Sequence, residues 1–198
     1  MISVYKLKPK FQQLLKPILA FFYKRNVTAN QITIASIVLS LLIGLLFWSA
    51  DYCSWFFLAL PIGLLIRMAL NALDGMMART YNQTSKKGEL LNEIGDVVSD
   101  VFVFFPLIKF LPESLYLIII FIILSIINEM AGLMGKVVGT ARRYDGPMGK
   151  SDRALLVGLY GILAFCQVSL QHSSLYIFAM INILLIISTL TRLRKSLI

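Results

Sequence analysis

Arg67, Asn71 and Asp74 fall at i, i+4 and i+7, and Asn92, Asp96 and Asp100 at i, i+4 and i+8. Each set shares one face of a helix. Two carboxylates with amide oxygens beside them, at Asn71, Asp74, Asn92 and Asp96, suit a hard cation such as Mg²⁺ or Mn²⁺. Small residues, Gly75, Ala78 and Gly88, stand among the charges, and Arg79 follows Ala78. Small residues let a ligand approach the backbone, and arginine takes phosphate oxygens. Together these groups are what a pyrophosphate ester needs. Spacing alone leaves one alternative open, an inert polar network that holds helices together.

The elements that carry these residues are apolar. The chain is 58% hydrophobic with a mean hydropathy of +0.79, too apolar for a soluble domain of 198 residues, and is read as an integral membrane protein. Six segments, 30–49, 55–73, 93–112, 115–138, 153–171 and 174–191, are each about as long as the 17 to 25 residues a membrane helix needs. The expected fold is all-α, with six transmembrane helices over residues 30–198 and an interfacial helix within residues 1–29. The third and fourth segments, separated by "PES", predict a helical hairpin. Before the first span, Phe11, Leu14, Leu15, Ile18, Leu19 and Phe22 form one stripe, with Gln12, Gln13 and Lys16 off it. This is the pattern of an amphipathic helix lying in the membrane plane, interrupted or restarted at Pro17. Thr28 or Asn30 is expected to cap the first spanning helix.

Charge sets the orientation. The formal net charge is +9, from 19 basic and 10 acidic residues. The apolar runs leave little surface for a nucleic acid, so a basic membrane face meeting anionic lipid is the better reading. Basic residues crowd the first 29 residues, the loops after the second and fourth segments, and the tail. The positive-inside rule then predicts cytoplasmic termini, cytoplasmic basic loops and a site open to the cytoplasm. The first 27 residues lack the apolar core and cleavage site of a signal peptide and are expected to stay in the mature protein. Cys53 and Cys166 form no metal pattern and are expected to be buried free thiols.

Charges within a span face the protein interior, pair, or line a wet cavity. Arg67 lies two turns, about 10 Å, deeper than Asp74, and Asp100 lies two turns below Asn92. Arg67 and Asp100 therefore come out at similar depth, and a structural ion pair is expected there, with Glu129 of the fourth segment as a third member.

The spacing has a further meaning. Asn71-x2-Asp74-Gly75-x2-Ala78-Arg79-x8-Gly88-x3-Asn92-x3-Asp96 resembles the signature of the CDP-alcohol phosphatidyltransferase family, D-x2-D-G-x2-A-R-x8-G-x3-D-x3-D. Every spacing holds, and six of eight fixed positions match in identity. The overall layout looks like the small bacterial inner-membrane members. The resemblance implies an enzyme of phospholipid biosynthesis. An acceptor hydroxyl attacks the phosphoryl group of a CDP-activated lipid, most simply CDP-diacylglycerol, and CMP leaves. It implies one or two Mg²⁺ or Mn²⁺ ions on the four motif positions, with Asp96 as general base for the acceptor. It also implies a CDP pocket lined by Asn71, Gly75, Ala78, Arg79 and Gly88, and a homodimer. The departures are Asn71 and Asn92, where the family carries acids. The four positions carry −2 instead of −4, so weaker metal binding is expected. A catalytically impaired relative acting as a binding partner, and an ion or solute transporter, are the rival readings.

A second basic stretch, "GKVVGTARRYDGPMGKSDRALL", holds Lys136, Arg142, Arg143, Lys150 and Arg153 around a Gly146-Pro147 turn. The resemblance implies that such residues bind a phosphorylated acceptor or the donor phosphates; simple headgroup contact is the alternative. Ser151 or Asp152 is expected to cap the fifth segment. Gly135-x3-Gly139 is expected to serve helix packing, and the lone His172 is assigned no role.

Overall fold

The computed structural model describes residues 8–198, with side chains from residue 11. The N-terminal residues 1–7, part of the expected cytoplasmic N-terminus, lie outside the described residues. The fold is all-α and divides into two compact units, ending and beginning at Val103 and Phe104.

The first unit is built from α1 (Lys8–Lys24), α2 (Ala29–Trp48), a 3-10 turn (Ser54–Leu58), α3 (Ala59–Thr80) and α4 (Lys86–Phe104). Thr28 caps α2 through a reciprocal box: its hydroxyl accepts from the Gln31 N–H, and the Gln31 side chain accepts from the Thr28 N–H at 2.9 Å. Pro17 lies inside α1 and does not end it. Leu15 and Leu19 of that helix are buried with Ile32 of α2 and with Leu73 and Met77 of α3. Leu14, Ile18 and Phe21 stay exposed, so α1 carries apolar side chains on a second face as well as on the one packed in the unit.

The buried face of α2 carries Thr33, Ser36, Ser40 and Gly44, while Leu41, Leu42, Leu45 and Leu46 point outward. This inverts the pattern of a soluble helix. Lipid is as apolar as leucine, so helix contacts favour small and hydroxyl side chains that admit close approach. Gly44 is the extreme case, because a Cβ there would strike the Phe102 carbonyl of α4. Deeper in the unit, Arg67 Nη2 donates to Asp100 Oδ1 at 2.7 Å and to the Asp96 backbone carbonyl at 3.2 Å. Both side chains of the ion pair are nearly sealed from solvent.

The second unit contains α5 (Leu107–Phe110), a 3-10 turn (Pro112–Ser114), α6 (Leu115–Val137), α7 (Lys150–Phe165) and α8 (Gln171–Ser196). Its packing centres on α6 and α8, where the Phe121 ring meets Phe178 edge-on at 5.4 Å. Asn182 of α8 donates to the Leu117 carbonyl of α6 at 2.9 Å. The loop after α6 doubles back on that helix. The Arg143 N–H donates to the Gly132 carbonyl at 2.9 Å, and a Cβ on Gly132 would lie 2.6 Å from the Arg143 oxygen. The clearance at Gly135 likewise serves this loop, through Ala141, rather than a helix contact. Gly139, at φ +87°, makes the turn after α6 possible. Gly149 caps α7, with the Asp152 carboxylate accepting its N–H at 3.0 Å.

The expectation of six spanning helices is corrected. Among the described residues four helices are long and apolar enough to cross a membrane: Ala29–Trp48, Ser54–Thr80, Pro112–Val137 and Gln171–Ser196. The expected third segment, 93–112, begins as α4 at Lys86 and stops at Phe104. Its early turns hold Lys86, Lys87, Glu89 and Glu93, too many charges for a span. Pro106 has no N–H to continue the helix and instead caps the short α5. The expected fifth segment, 153–171, is α7, which has only 16 residues and so falls short of the roughly 17 to 25 a span requires. The thiols also differ from expectation: Cys53 is half-buried and Cys166 exposed.

Removing one partner of a buried pair leaves an uncompensated charge. Asp100→Leu is therefore expected to cost about 3 kcal/mol of stability, and the double change Arg67→Met with Asp100→Leu to recover most of it. Chemical unfolding of both variants in detergent, beside the unaltered chain, checks this.

Candidate active site

The motif residues lie on two helices. Asn71, Asp74, Gly75, Ala78 and Arg79 all belong to α3, which continues to Thr80, and Gly88, Asn92 and Asp96 to α4, which starts at Lys86. The connecting loop is confined to residues 81–85, so the small residues expected in a loop are helical. The two helices meet in successive rungs. Arg67 pairs with Asp100, and one turn along Asn71 Nδ2 donates to Asp96 Oδ1 at 3.2 Å. One turn on α3 is matched by one turn in the opposite sense on α4, as antiparallel neighbours require.

Above these rungs opens a cavity of about 530 Å³, and Asp74, Gly75, Ala78, Arg79, Gly88 and Asn92 all line it. Asp74 is buried, 3% exposed, and Thr33 Oγ1 of α2 donates to its Oδ2 at 2.9 Å. Arg79 is exposed. Its guanidinium folds toward Gly75, where a Cβ would lie 3.3 Å from Nη2. Gly88 likewise gives room to Asn30, whose Oδ1 would be 2.6 Å from a Cβ. Glycine at both places keeps the floor low and lets polar groups reach into the cavity. Gln83, in the connecting loop, reaches the start of α2, where its Oε1 accepts the Ala29 N–H at 2.8 Å. Tyr81, at the end of α3, stacks on Tyr23 of α1 with ring centroids 3.6 Å apart.

Two residues outside the motif thus join the site. Thr33 and Ser36 stand i, i+3 on α2 and hold Asp74 and Asn71, which stand i, i+3 on α3: Ser36 Oγ donates to Asn71 Oδ1 at 2.6 Å. The sequence signal for them is the run of hydroxyls at 33, 36 and 40, one face of an otherwise apolar span.

Donor chemistry tests the fit to a divalent ion. Asp74 and Asp96 offer hard oxygen, as Mg²⁺ or Mn²⁺ prefers. Among the described residues, however, no group of three or more His, Cys, Asp or Glu gathers to hold a metal. Asn92 lines the cavity, while Asn71 turns its N–H₂ rather than its oxygen to Asp96. The motif supplies two carboxylates, Asp74 and Asp96, that could offer oxygen to a cation, and no third acid joins them among the described residues.

Glu129 belongs to a cluster in the second unit. Its Oε2 accepts from Arg142 and its Oε1 from Arg153, each at 2.9 Å, and Arg192 Nη1 stands 3.6 Å away. Arg153 is wholly buried and Arg192 nearly so. Within the second unit, Glu129 thus has three arginine neighbours. The hairpin return of the loop after α6 brings Arg142 to Glu129, a path that periodicity cannot reveal. Of the other basic residues singled out here, Lys136 is exposed, and Arg143 and Lys150 are half-buried. Arg192, near the end of α8, comes to the cluster from the basic tail. His172 Nδ1 lies 2.8 Å from Glu113, on the surface.

Comparison with known proteins agrees with this geometry. Residues 26–191 match the family model of CDP-alcohol phosphatidyltransferase. The chain is 44% identical over 198 residues to the inner membrane protein YnbA of Escherichia coli K12, covering 100% of this chain and 98% of that protein. An uncharacterized protein of Aquifex aeolicus is 34% identical over 99 residues, about half of each chain. Two crystal structures of the phosphatidylinositol phosphate synthase PgsA1 of Mycobacterium tuberculosis share the fold. The one with CDP-DAG bound has a TM-score of 0.76 at 20% identity and covers 93% of this chain and 94% of the synthase. The other, with manganese and citrate, has a TM-score of 0.74 at 22% identity, with 91% and 87% covered. The chain belongs to the CDP-alcohol phosphatidyltransferase family and is a multi-pass transferase of the bacterial inner membrane.

Proposed function

We propose that the cavity on α3 and α4 receives the CDP group of CDP-diacylglycerol, and that the chain moves the phosphatidyl group to a hydroxyl acceptor in phospholipid biosynthesis. The observation that carries this reading is the convergence of Asp74, Gly75, Ala78, Arg79, Gly88 and Asn92 on one cavity, with Asp96 one turn below Asn92. Arg79 supplies a fixed positive charge for pyrophosphate oxygens. Gly75 and Gly88 let the diphosphate lie close to the helices. The acceptor oxygen attacks the phosphorus that bears the diacylglycerol. The bond from that phosphorus to the bridging oxygen breaks, and CMP carries the electron pair away. Asp96 takes the acceptor proton, held in orientation by Asn71.

Asp74 and Asp96 are the residues that would hold a divalent cation, which when bound neutralises charge on the diphosphate. In the second unit Arg142, Arg153 and Arg192 meet the single Glu129, an excess of positive charge to which Lys136, Arg143 and Lys150 add and which suits a polar or phosphorylated acceptor. A homodimer, with termini and site facing the cytoplasm, belongs to the same reading. The reduced charge at Asn71 and Asn92 is the one feature that favours a non-catalytic relative, and the assay below separates the two.

Purified protein supplied with CDP-diacylglycerol, Mg²⁺ or Mn²⁺ and a panel of hydroxyl acceptors is expected to release CMP and form a new phospholipid. No CMP with any acceptor would favour the non-catalytic relative. Asp96→Ala is expected to lower turnover by about 10² to 10⁴-fold, the usual worth of a positioned base; release that survives the change sinks the role given to Asp96. Asn92→Asp, which adds a carboxylate at the cavity wall, is expected to tighten Mn²⁺ binding by roughly tenfold through added ligand charge. Titration of free Mn²⁺ by electron paramagnetic resonance measures it.

A further inference from the structure

Asn71 sits between two partners whose chemistry determines how its amide points. An amide N–H₂ donates and a carboxylate oxygen accepts, and it is the N–H₂ group that faces Asp96. Nδ2 donates to Asp96 Oδ1 at 3.2 Å, and Oδ1 takes the Ser36 hydroxyl at 2.6 Å. Ser36 is itself 3% exposed, in a span where a lost hydrogen bond has no water to replace it. The hydroxyl of Ser40 in turn donates to the Ser36 carbonyl at 2.7 Å, which anchors that turn of α2. A cation bridging residues 71 and 96 would need an oxygen where this chain presents two protons.

We infer that Asn71 is an amide clasp that holds Asp96 in place of a bridging cation, and that Ser36 is the positioning residue that sets the clasp's orientation. The amide proton neutralises one lone pair of Asp96 without bringing in a full charge. The carboxylate is thereby oriented before any ion or substrate arrives. The two hydroxyls of α2 then have matched tasks, Thr33 on the carboxylate that keeps its charge and Ser36 on the amide that replaced one. The kinetic part of this inference rests on the transferase reading above; the ion-binding part does not.

The test uses the full chain in detergent or nanodiscs. Asn71→Asp places two carboxylates at the distance of the present hydrogen bond. Without divalent ions its unfolding midpoint is expected to fall below that of the unaltered chain. With MnCl₂ it is expected to recover, by a larger shift than the unaltered chain gives, and its Mn²⁺ affinity is expected to rise roughly tenfold with the added ligand charge. A midpoint and Mn²⁺ response equal to those of the unaltered chain overturn the clasp. For Ser36, Ser36→Ala is expected to lower kcat roughly tenfold with an unchanged KM for CDP-diacylglycerol, and Ser36→Thr, which keeps the hydroxyl, to restore it. An unchanged kcat in Ser36→Ala, or a Ser36→Thr variant as slow as the alanine, overturns the positioning role. Should the unaltered chain release no CMP, the transferase reading fails by itself, and the Mn²⁺ response of Asn71→Asp still decides the clasp.

Discussion

Arg67 and Asp100 cannot be buried separately. Each charge alone is costly in the interior, and the pair is tolerable only when the two side chains meet. That meeting, at 2.7 Å, sets the register of α3 against α4. Once it is made, the one-turn steps to Asn71 and to Asp96 bring the next rung together, and the following steps to Asp74 and Asn92 reach the cavity. The pair lies one turn from the Asn71–Asp96 rung. It converts a sequence pattern on two helices into a spatial arrangement of functional groups.

The third support comes from α2, and it is of a different kind. Its contribution is a row of small and hydroxyl side chains that admit α3 closely and then bond to it. Hydroxyls cost little in an apolar helix because they can return to a carbonyl of their own helix, as Thr33 also does to Ala29 at 3.2 Å. They can therefore stand ready in a span without the expense of a charge. The cavity wall rests on one ion pair for register and two hydroxyls for orientation.

Much of this was readable from residues alone. The all-α class and the amphipathic helix before the first span followed from composition and periodicity, Thr28 proved to be the cap of the two candidates, Thr28 and Asn30, and the motif was read from its resemblance to the family signature. The number of spans did not. Hydropathy over 93–112 is high, but the helix that forms there starts at Lys86 and ends before Pro106, so it takes in charges that the apolar segment omits. The 153–171 segment fails because its helix stops at Phe165, after which Gln167 turns at φ +59°. In the site, Asp74 and Asp96 were legible because acids in a membrane protein are conspicuous. Thr33 and Ser36 were not, since a hydroxyl in a span usually bonds its own helix. The meeting of Glu129 with Arg142, Arg153 and Arg192 was not legible, because periodicity says nothing about a loop that folds back.

The short link between α3 and α4 has a consequence for how such a chain can change over time. Within each half of the motif, carried on a single helix, every interval is a fixed rotation. One residue inserted or removed between Arg67 and Asp74, or between Asn92 and Asp100, would swing the residues beyond it about 100° around that helix and break the ladder. Exchanging a carboxylate for an amide leaves the ladder standing. The signature is thus strict in length and lenient in letter, and Asn71 and Asn92 are the kind of variation its geometry permits.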